Sequence, residues 1–230
     1  MDKNRWMTYA PYFDFDEKEP FFPVRLGVRE YRPGDASDSF RRVFDPDEWA
    51  PGTETILEYA IYYDYDIQHL YDLEHAWIGL DSEGRITDAE ASFHGDYLKA
   101  LLPDRSNVED GTHVVLAVQP GKHALMPRGD YFRLVPDVMT APSKKAGGGG
   151  LLINNILQGR IRASTDEAER ETANRLANEY MQTCAFVPTL NFTRRWKPEA
   201  EHLVSWQELY EEIPRRIEAE LKRLAEWAKH

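Results

Sequence analysis

Cysteine is almost missing: Cys184 is the only one in 230 residues. No intramolecular disulfide can form, and a reducing, cytoplasmic setting is the expectation. Long apolar stretches are missing too. The longest clean run, Val114 to Val118, is far shorter than the ~20 residues of a membrane-spanning helix. Asp2, Lys3, Arg5, Asp14 and Asp16 break up the first residues, so no apolar signal-peptide core is read there. Positive charge is scarce: 28 Lys and Arg stand against 40 Asp and Glu, a net charge of −12. Such a chain repels phosphate backbones, and no nucleic-acid partner is expected. Internal repeats, the Gly-x-Ser-x-Gly nucleophile turn and His-Glu-x-x-His are all absent.

What is present is a globular composition. Hydrophobic residues make up 42% and the aromatics include 12 Tyr and 6 Trp, too many for a disordered chain. β-Branched and aromatic runs bounded by turn residues predict strands over 24–31, 55–66, 74–80, 86–93, 112–119 and 131–135. The C-terminal part is helical in pattern. Ser164 with Glu167 and Ser205 with Glu208 read as capping boxes, and helices are predicted near 165–183 and 205–229. Pro214 marks a kink or a new first turn. Cys184 lies on the first helix's apolar stripe and reads as a core residue. The four glycines Gly147–Gly150 read as a flexible loop or hinge. The fold class expected is α+β: an antiparallel β-sandwich over 1–142, a Gly-rich loop over 143–150 and a helical extension over 151–230 packed on the sandwich.

The densest chemistry lies between Asp64 and His75, with Asp64, Asp66, His69, Asp72 and Glu74 close together. Residues two apart on a strand share a face. Asp64 and Asp66 are expected to point the same way at the end of one strand. Asp72 and Glu74 do so at the start of the next, with His69 in the connection. Glu74 also shares parity with Ala76, Ile78 and Leu80, an apolar row. A carboxylate there must be paired, protonated or metal-bound. Crowded carboxylates with one imidazole suit Mg2+, Ca2+ or Mn2+ better than Zn2+. An acidic rim beside a turn is the plain alternative. His94 and His123 each follow a predicted strand, where a sandwich presents its loops, and are read as lining a ligand pocket. His75 has the opposite parity and is left out.

The order of these motifs resembles the necrosis- and ethylene-inducing peptide-like proteins and their relatives in a vacuolar protein sorting-associated family, over about residues 9–130. The resemblance is carried by the acidic, Pro-bounded segment Asp14-Phe15-Asp16-Glu17-Lys18-Glu19-Pro20-Phe21-Phe22-Pro23. It continues through His69-x-x-Asp72-x-Glu74, similar to the family's Gly-His-Arg-His-Asp-Trp-Glu heptapeptide, although Leu73 replaces the Trp. It ends with Ser92-Phe93-His94-Gly95 and Gly121-Lys122-His123-Ala124. The resemblance implies a β-sandwich with a divalent cation at one end, held by Asp64 (or Asp66), His69, Asp72 and Glu74.

Three functions are compatible with this reading. The first is a cytoplasmic metal-binding sandwich that captures a small polar, sugar- or phosphate-like ligand. The second is a metal-dependent hydrolase with His94 or His123 as general base. The third is a structural or interaction protein whose cation only staples a loop. The absence of a nucleophile motif favours the first.

Overall fold

The computed structural model describes residues 2–152 and 155–230. After a short helix, α1 (Lys3–Tyr9), come strands β1 (Tyr12–Phe15), β2 (Arg25–Tyr31), β3 (Thr55–Tyr65), β4 (His69–Leu80), β5 (Ile86–Phe93) and β6 (Asp96–Lys99). Then follow β7 (Val108–Glu109), β8 (His113–Val118), β9 (Leu125–Met126), β10 (Gly150–Leu151), helix α2 (Glu167–Thr183), β11 (Arg194–Trp196), β12 (Leu203–Ser205) and helix α3 (Trp206–Trp227). The smaller sheet runs β11-β1-β8-β7, with β9 also on β8. The larger runs β12-β2-β3-β4-β5-β6, with β10 also on β4.

The two sheets pack face to face. Phe13, Phe15, Leu116 and Val118 of the smaller sheet meet Leu26, Val28, Leu57, Tyr59, Ile61, Tyr63, Ala76 and Ile78 of the larger. These residues alternate along their strands, as burial of one face requires. The outer face of the larger sheet is covered as well. Ala60, Tyr62 and Tyr65 pack under Ala173, Leu176, Ala177 and Met181 of α2 and Leu209, Ile213, Ile217 and Leu224 of α3. Farther along, Ile56 and Trp77 lie beneath Phe44 and Trp49 of the 32–50 segment. A sheet buried on both sides explains why β3 is an almost unbroken hydrophobic and aromatic run.

The α+β sandwich expected from the sequence is thus the architecture of the chain, with several local corrections. The sheets are mixed: β1 with β8, β4 with β10 and β2 with β12 are parallel pairs. The stretch predicted as a strand over 131–135 is a 3-10 helix, Gly129–Leu134. Helix α2 is capped by Asp166, whose carboxylate accepts the Glu169 N–H, rather than by Ser164. Cys184 is half-buried at the end of α2, not in the core. Helix α3 has its capping box at Ser205 and Glu208 and runs through Pro214 without ending. The glycine run is hydrogen-bonded rather than free. Gly147 N–H donates to Ile67 O at 2.9 Å and Gly149 N–H to Gln68 O at 2.7 Å. A Cβ on Gly147 would lie 2.4 Å from the Asn178 carbonyl oxygen, so glycine is required there.

Candidate cation site

The β3–β4 hairpin turns through only Asp66, Ile67 and Gln68, so His69 begins β4 instead of lying in the connection. Tyr71, inside β4, has φ +52°. A non-glycine residue in the left-handed region interrupts the pleat. Leu70 and Tyr71 both join the helix-covered face, whereas Asp72 and Glu74 lie on the sandwich side with Ala76 and Ile78. The partner strand changes sides at the same level. Tyr63 belongs to the inter-sheet core, but Tyr65 packs with the helices.

This change of side separates Asp64 from Asp66. Asp64 faces α3, where Arg216 grips both of its oxygens at 3.0 and 2.7 Å. It is not brought together with His69, Asp72 and Glu74, and the parity expected for it fails because the strand does not stay regular to its end. Asp66, past the last residue of β3, turns into the cluster instead. It is fully buried, and its carboxylate accepts the Gln68 N–H at 2.6 Å.

The second wall is the turn after β8. Gly121 has φ +72°, and a Cβ there would meet Ile67 and Pro142. Its N–H donates to Glu19 Oε2 at 2.6 Å, and its carbonyl accepts the Ile67 N–H at 2.9 Å. The turn is therefore tied both to the Pro-bounded segment and to the hairpin. It delivers two cations. The Lys122 ammonium is 2.9 and 2.7 Å from the two Asp66 oxygens. His123, fully buried at φ +61°, stacks on Tyr63 at 3.9 Å. Its Nδ1 is 3.3 Å from Asp72 Oδ2 and its Nε2 is 3.5 Å from Glu19 Oε1.

His69 is oriented by its own strand. Its Nδ1 lies 2.8 Å from the Tyr71 carbonyl. A carbonyl only accepts, so Nδ1 carries a proton, and Nε2 turns toward Asp66, 3.7 Å from its Oδ1. A ring held through one nitrogen with the other free to coordinate is the arrangement of metal-binding histidines. Glu74 sits deeper, hydrogen-bonded by the Ser92 hydroxyl. Asp66, His69, Asp72, Leu73, Glu74, Lys122, Phe40 and the exposed His94 line one cavity of about 200 Å³.

The electrostatics divide the acids. Burial, reinforced by the Asp72 charge, pushes Glu74 well above the usual carboxylate range, toward its neutral form. Burial acts in the same direction on Asp72, but His123, His69 and Lys122 outweigh it and hold Asp72 below its ordinary value. Burial alone would make His123 neutral; Asp72 and Glu19 overcome this and push it up to about 10. One donor atom each from Asp66, Asp72 and His123 can be chosen so that all lie within 4.8 Å of one another.

Of the residues singled out in the sequence, His69, Asp72, Glu74, His94 and His123 are thus gathered at one end of the sandwich; Asp64 is not. Glu19 and Lys122 were missed, although both lie inside segments that carried the resemblance. The signal for Lys122 was its place beside a histidine directly after the Pro120-Gly121 turn.

No family model matches the chain, and no curated protein matches it. Among solved structures, it is similar to necrosis and ethylene inducing protein 2 from the causal agent of cocoa's witches' broom disease. That likeness has 24% identity and a TM-score of 0.37, covering 54% of this chain and 68% of that one. It is also similar to NLPPya in complex with glucosamine, with 18% identity and a TM-score of 0.36, over 54% of this chain and 66% of that one. A complex of NLPPya with mannosamine gives 20% identity and a TM-score of 0.35 over the same shares. The likeness is to structures of the necrosis- and ethylene-inducing kind, and the vacuolar protein sorting-associated relatives gain no support from it.

Proposed function

We propose that the chain is a divalent-cation-binding β-sandwich protein whose bound ion captures a small polar, sugar- or phosphate-like ligand. The observation that carries this reading is the convergence of the buried Asp66 carboxylate and the Asp72 carboxylate, with oxygens within 4.8 Å of each other, on one cavity that the His69 ring also lines. The donor set is oxygen-rich with imidazole, which suits Mg2+, Ca2+ or Mn2+. Asp66, His69 and Asp72 would hold the ion, and Glu74 would stand behind them, hydrogen-bonded by the Ser92 hydroxyl. The cavity beside them takes the ligand, with His94 at its exposed rim. No helix among the described residues is long and apolar enough to cross a membrane. The single cysteine favours a cytoplasmic setting.

A second reading is favoured by Lys122. Its ammonium already neutralises Asp66, so the cluster also works as a structural staple that needs no metal. The hydrolase reading loses one of its two bases. His123, pushed up to about 10, is already protonated at neutral pH, which leaves His94 alone.

Elemental analysis of the purified protein, followed by calorimetric titration with Mn2+, Ca2+ and Mg2+ and then with glucosamine and inorganic phosphate, tests the proposal. Binding of a divalent ion that Asp72→Asn weakens at least tenfold supports it. A chelated wild-type chain that takes up none of the three ions at millimolar concentration leaves the staple as the function of the cluster.

A further inference from the structure

We propose that Lys122 is a tethered counter-cation of this site, which a divalent ion must displace from Asp66 in order to bind. The inference rests on the cation-binding reading above and adds how that site is controlled. Asp66 is fully buried, and a buried carboxylate without a partner is strongly unfavourable. Lys122 meets that need from within the chain. Its ammonium contacts both Asp66 oxygens, at 2.7 and 2.9 Å.

The backbone makes this placement firm while leaving the side chain a way out. Lys122 and His123 N–H groups both bond Gln119 O, at 3.1 and 3.0 Å, and Gly121 is fixed to Glu19 and Ile67. The lysine side chain lines the cavity and is 14% exposed, so it is not sealed in. A four-carbon stem anchored at such a position carries its ammonium to solvent by rotation alone. Beside it, His123 is fully buried, and its ring nitrogens aim at Asp72 and Glu19 without a hydrogen bond in good geometry.

A divalent ion bound by Asp66 and Asp72 would stand about 2.0–2.6 Å from their oxygens. The ammonium already sits against both Asp66 oxygens and carries the same sign of charge. In a cavity of about 200 Å³ with buried acidic walls, the two cations exclude one another from Asp66. The lysine therefore weakens ion binding and keeps the ion-free fold intact. Removing it should tighten ion binding and make the fold depend on the ion.

The test uses Mn2+ as the probe and the full chain. Mn2+ affinity is measured by electron paramagnetic resonance for wild type, Lys122→Met, Lys122→Gln and Lys122→Arg. Independently, acetylation of Lys122 in the wild type by acetic anhydride is followed by mass spectrometry with and without Mn2+. The expected result is at least tenfold tighter Mn2+ binding in Lys122→Met and Lys122→Gln, and no such gain in Lys122→Arg. Acetylation of Lys122 should rise severalfold when Mn2+ binds. Ion-free Lys122→Met should melt below wild type and recover with Mn2+.

If wild type and the neutral variants bind Mn2+ equally and acetylation does not change, the tether is wrong while the cation site stands. If no variant and no wild type binds Mn2+, the cation site itself is wrong and the tether falls with it. Should the neutral variants fail to fold at any Mn2+ concentration, wild-type acetylation decides alone: an unchanged rate during Mn2+ binding overturns the proposal.

Discussion

Glu74 and Asp72 are both carboxylates at one end of the sandwich, yet their surroundings push them in opposite directions. Glu74 is driven up by burial and by Asp72, whereas Asp72 is held down by the imidazoles and the lysine. Glu74→Gln replaces an acid pushed toward its neutral form by a neutral amide that still accepts from Ser92. Its cost at pH 7 should stay below about 1 kcal/mol. Asp72→Asn removes a negative charge that faces the His123 imidazolium at 3.3 Å. It leaves that buried cation to Glu19 alone and should cost about 2–4 kcal/mol. Urea denaturation of both variants at pH 7 in chelator checks this, and equal costs would show that Glu74 is ionised. The same residues show what a period-2 reading captures. Asp72 and Glu74 were legible because β4 is regular from Asp72 onward, with the apolar row on one side. Asp64 was misplaced because it keeps the helix-covered face of Ala60 and Tyr62, whereas the hairpin end, irregular at Tyr65 and at Tyr71 with φ +52°, turns Asp66 the other way, and no feature of an isolated tyrosine announces that. Lys122 and Glu19 contribute through contacts more than fifty positions away in sequence, beyond the reach of a spacing argument.

At the scale of elements, α3 shows how a local rule is broken and compensated. Pro214 lies inside the helix, so the Tyr210 carbonyl has no amide proton four residues on. Arg160, outside the helix, supplies one: its Nη1 donates to Tyr210 O at 2.8 Å, and its guanidinium lies 3.9 Å over the Tyr210 ring. Arg160→Met should therefore cost about 1–2 kcal/mol. In a Pro214→Ala background the restored amide takes the carbonyl, and the same change should cost at least about 0.5 kcal/mol less. A double-mutant cycle by thermal or urea unfolding measures the coupling; additive costs would mean that Arg160 acts only through its packing. The capping box at Ser205 made this helix legible, whereas α2 starts from an Asp166 cap, two residues past the Ser164 that the sequence pattern pointed to. β7, β9 and β10 are two residues long and have no periodicity to read. They exist because longer strands lie beside them.

For the whole molecule, the outer face of the larger sheet matters as much as the end that holds the candidate site. Between the 32–50 segment and the sheet lie a buried acid, a buried imidazole and the segment's own buried guanidinium. Glu58 accepts from Ser37, Ser39 and Trp77, and Arg42 pairs with Glu90 at 2.7 Å within rings of Tyr97, Trp77 and Phe44. His75 has Nε2 2.9 Å from Ser39 Oγ and its ring between Phe40 and Trp77. Burial pulls it down to about 3, with Arg42 acting in the same direction and Asp72 against. The unfolded chain titrates near 6.5, so below that pH it binds a proton that the folded chain refuses. The contribution of His75 to stability is complete above about 6.5 and is lost as pH falls toward about 3, at up to ~1.4 kcal/mol per pH unit. By pH 5 the loss should reach about 2 kcal/mol. Glu58 and Glu74 act the other way. Each is raised by burial, keeps its proton in the fold at a pH where the unfolded chain has lost it, and so gains stability on acidification. The comparison that isolates the imidazole is therefore wild type against His75→Gln, with urea unfolding at pH 7.5, 6 and 5. The amide leaves the two acids in place and cannot take up the proton. The variant is expected to be less stable than wild type at pH 7.5, because its fit between Phe40 and Trp77 is poorer, and to lose about 2 kcal/mol less on going to pH 5. Parallel acid slopes in the two proteins would place the His75 proton in the folded state and refute the neutral, buried imidazole.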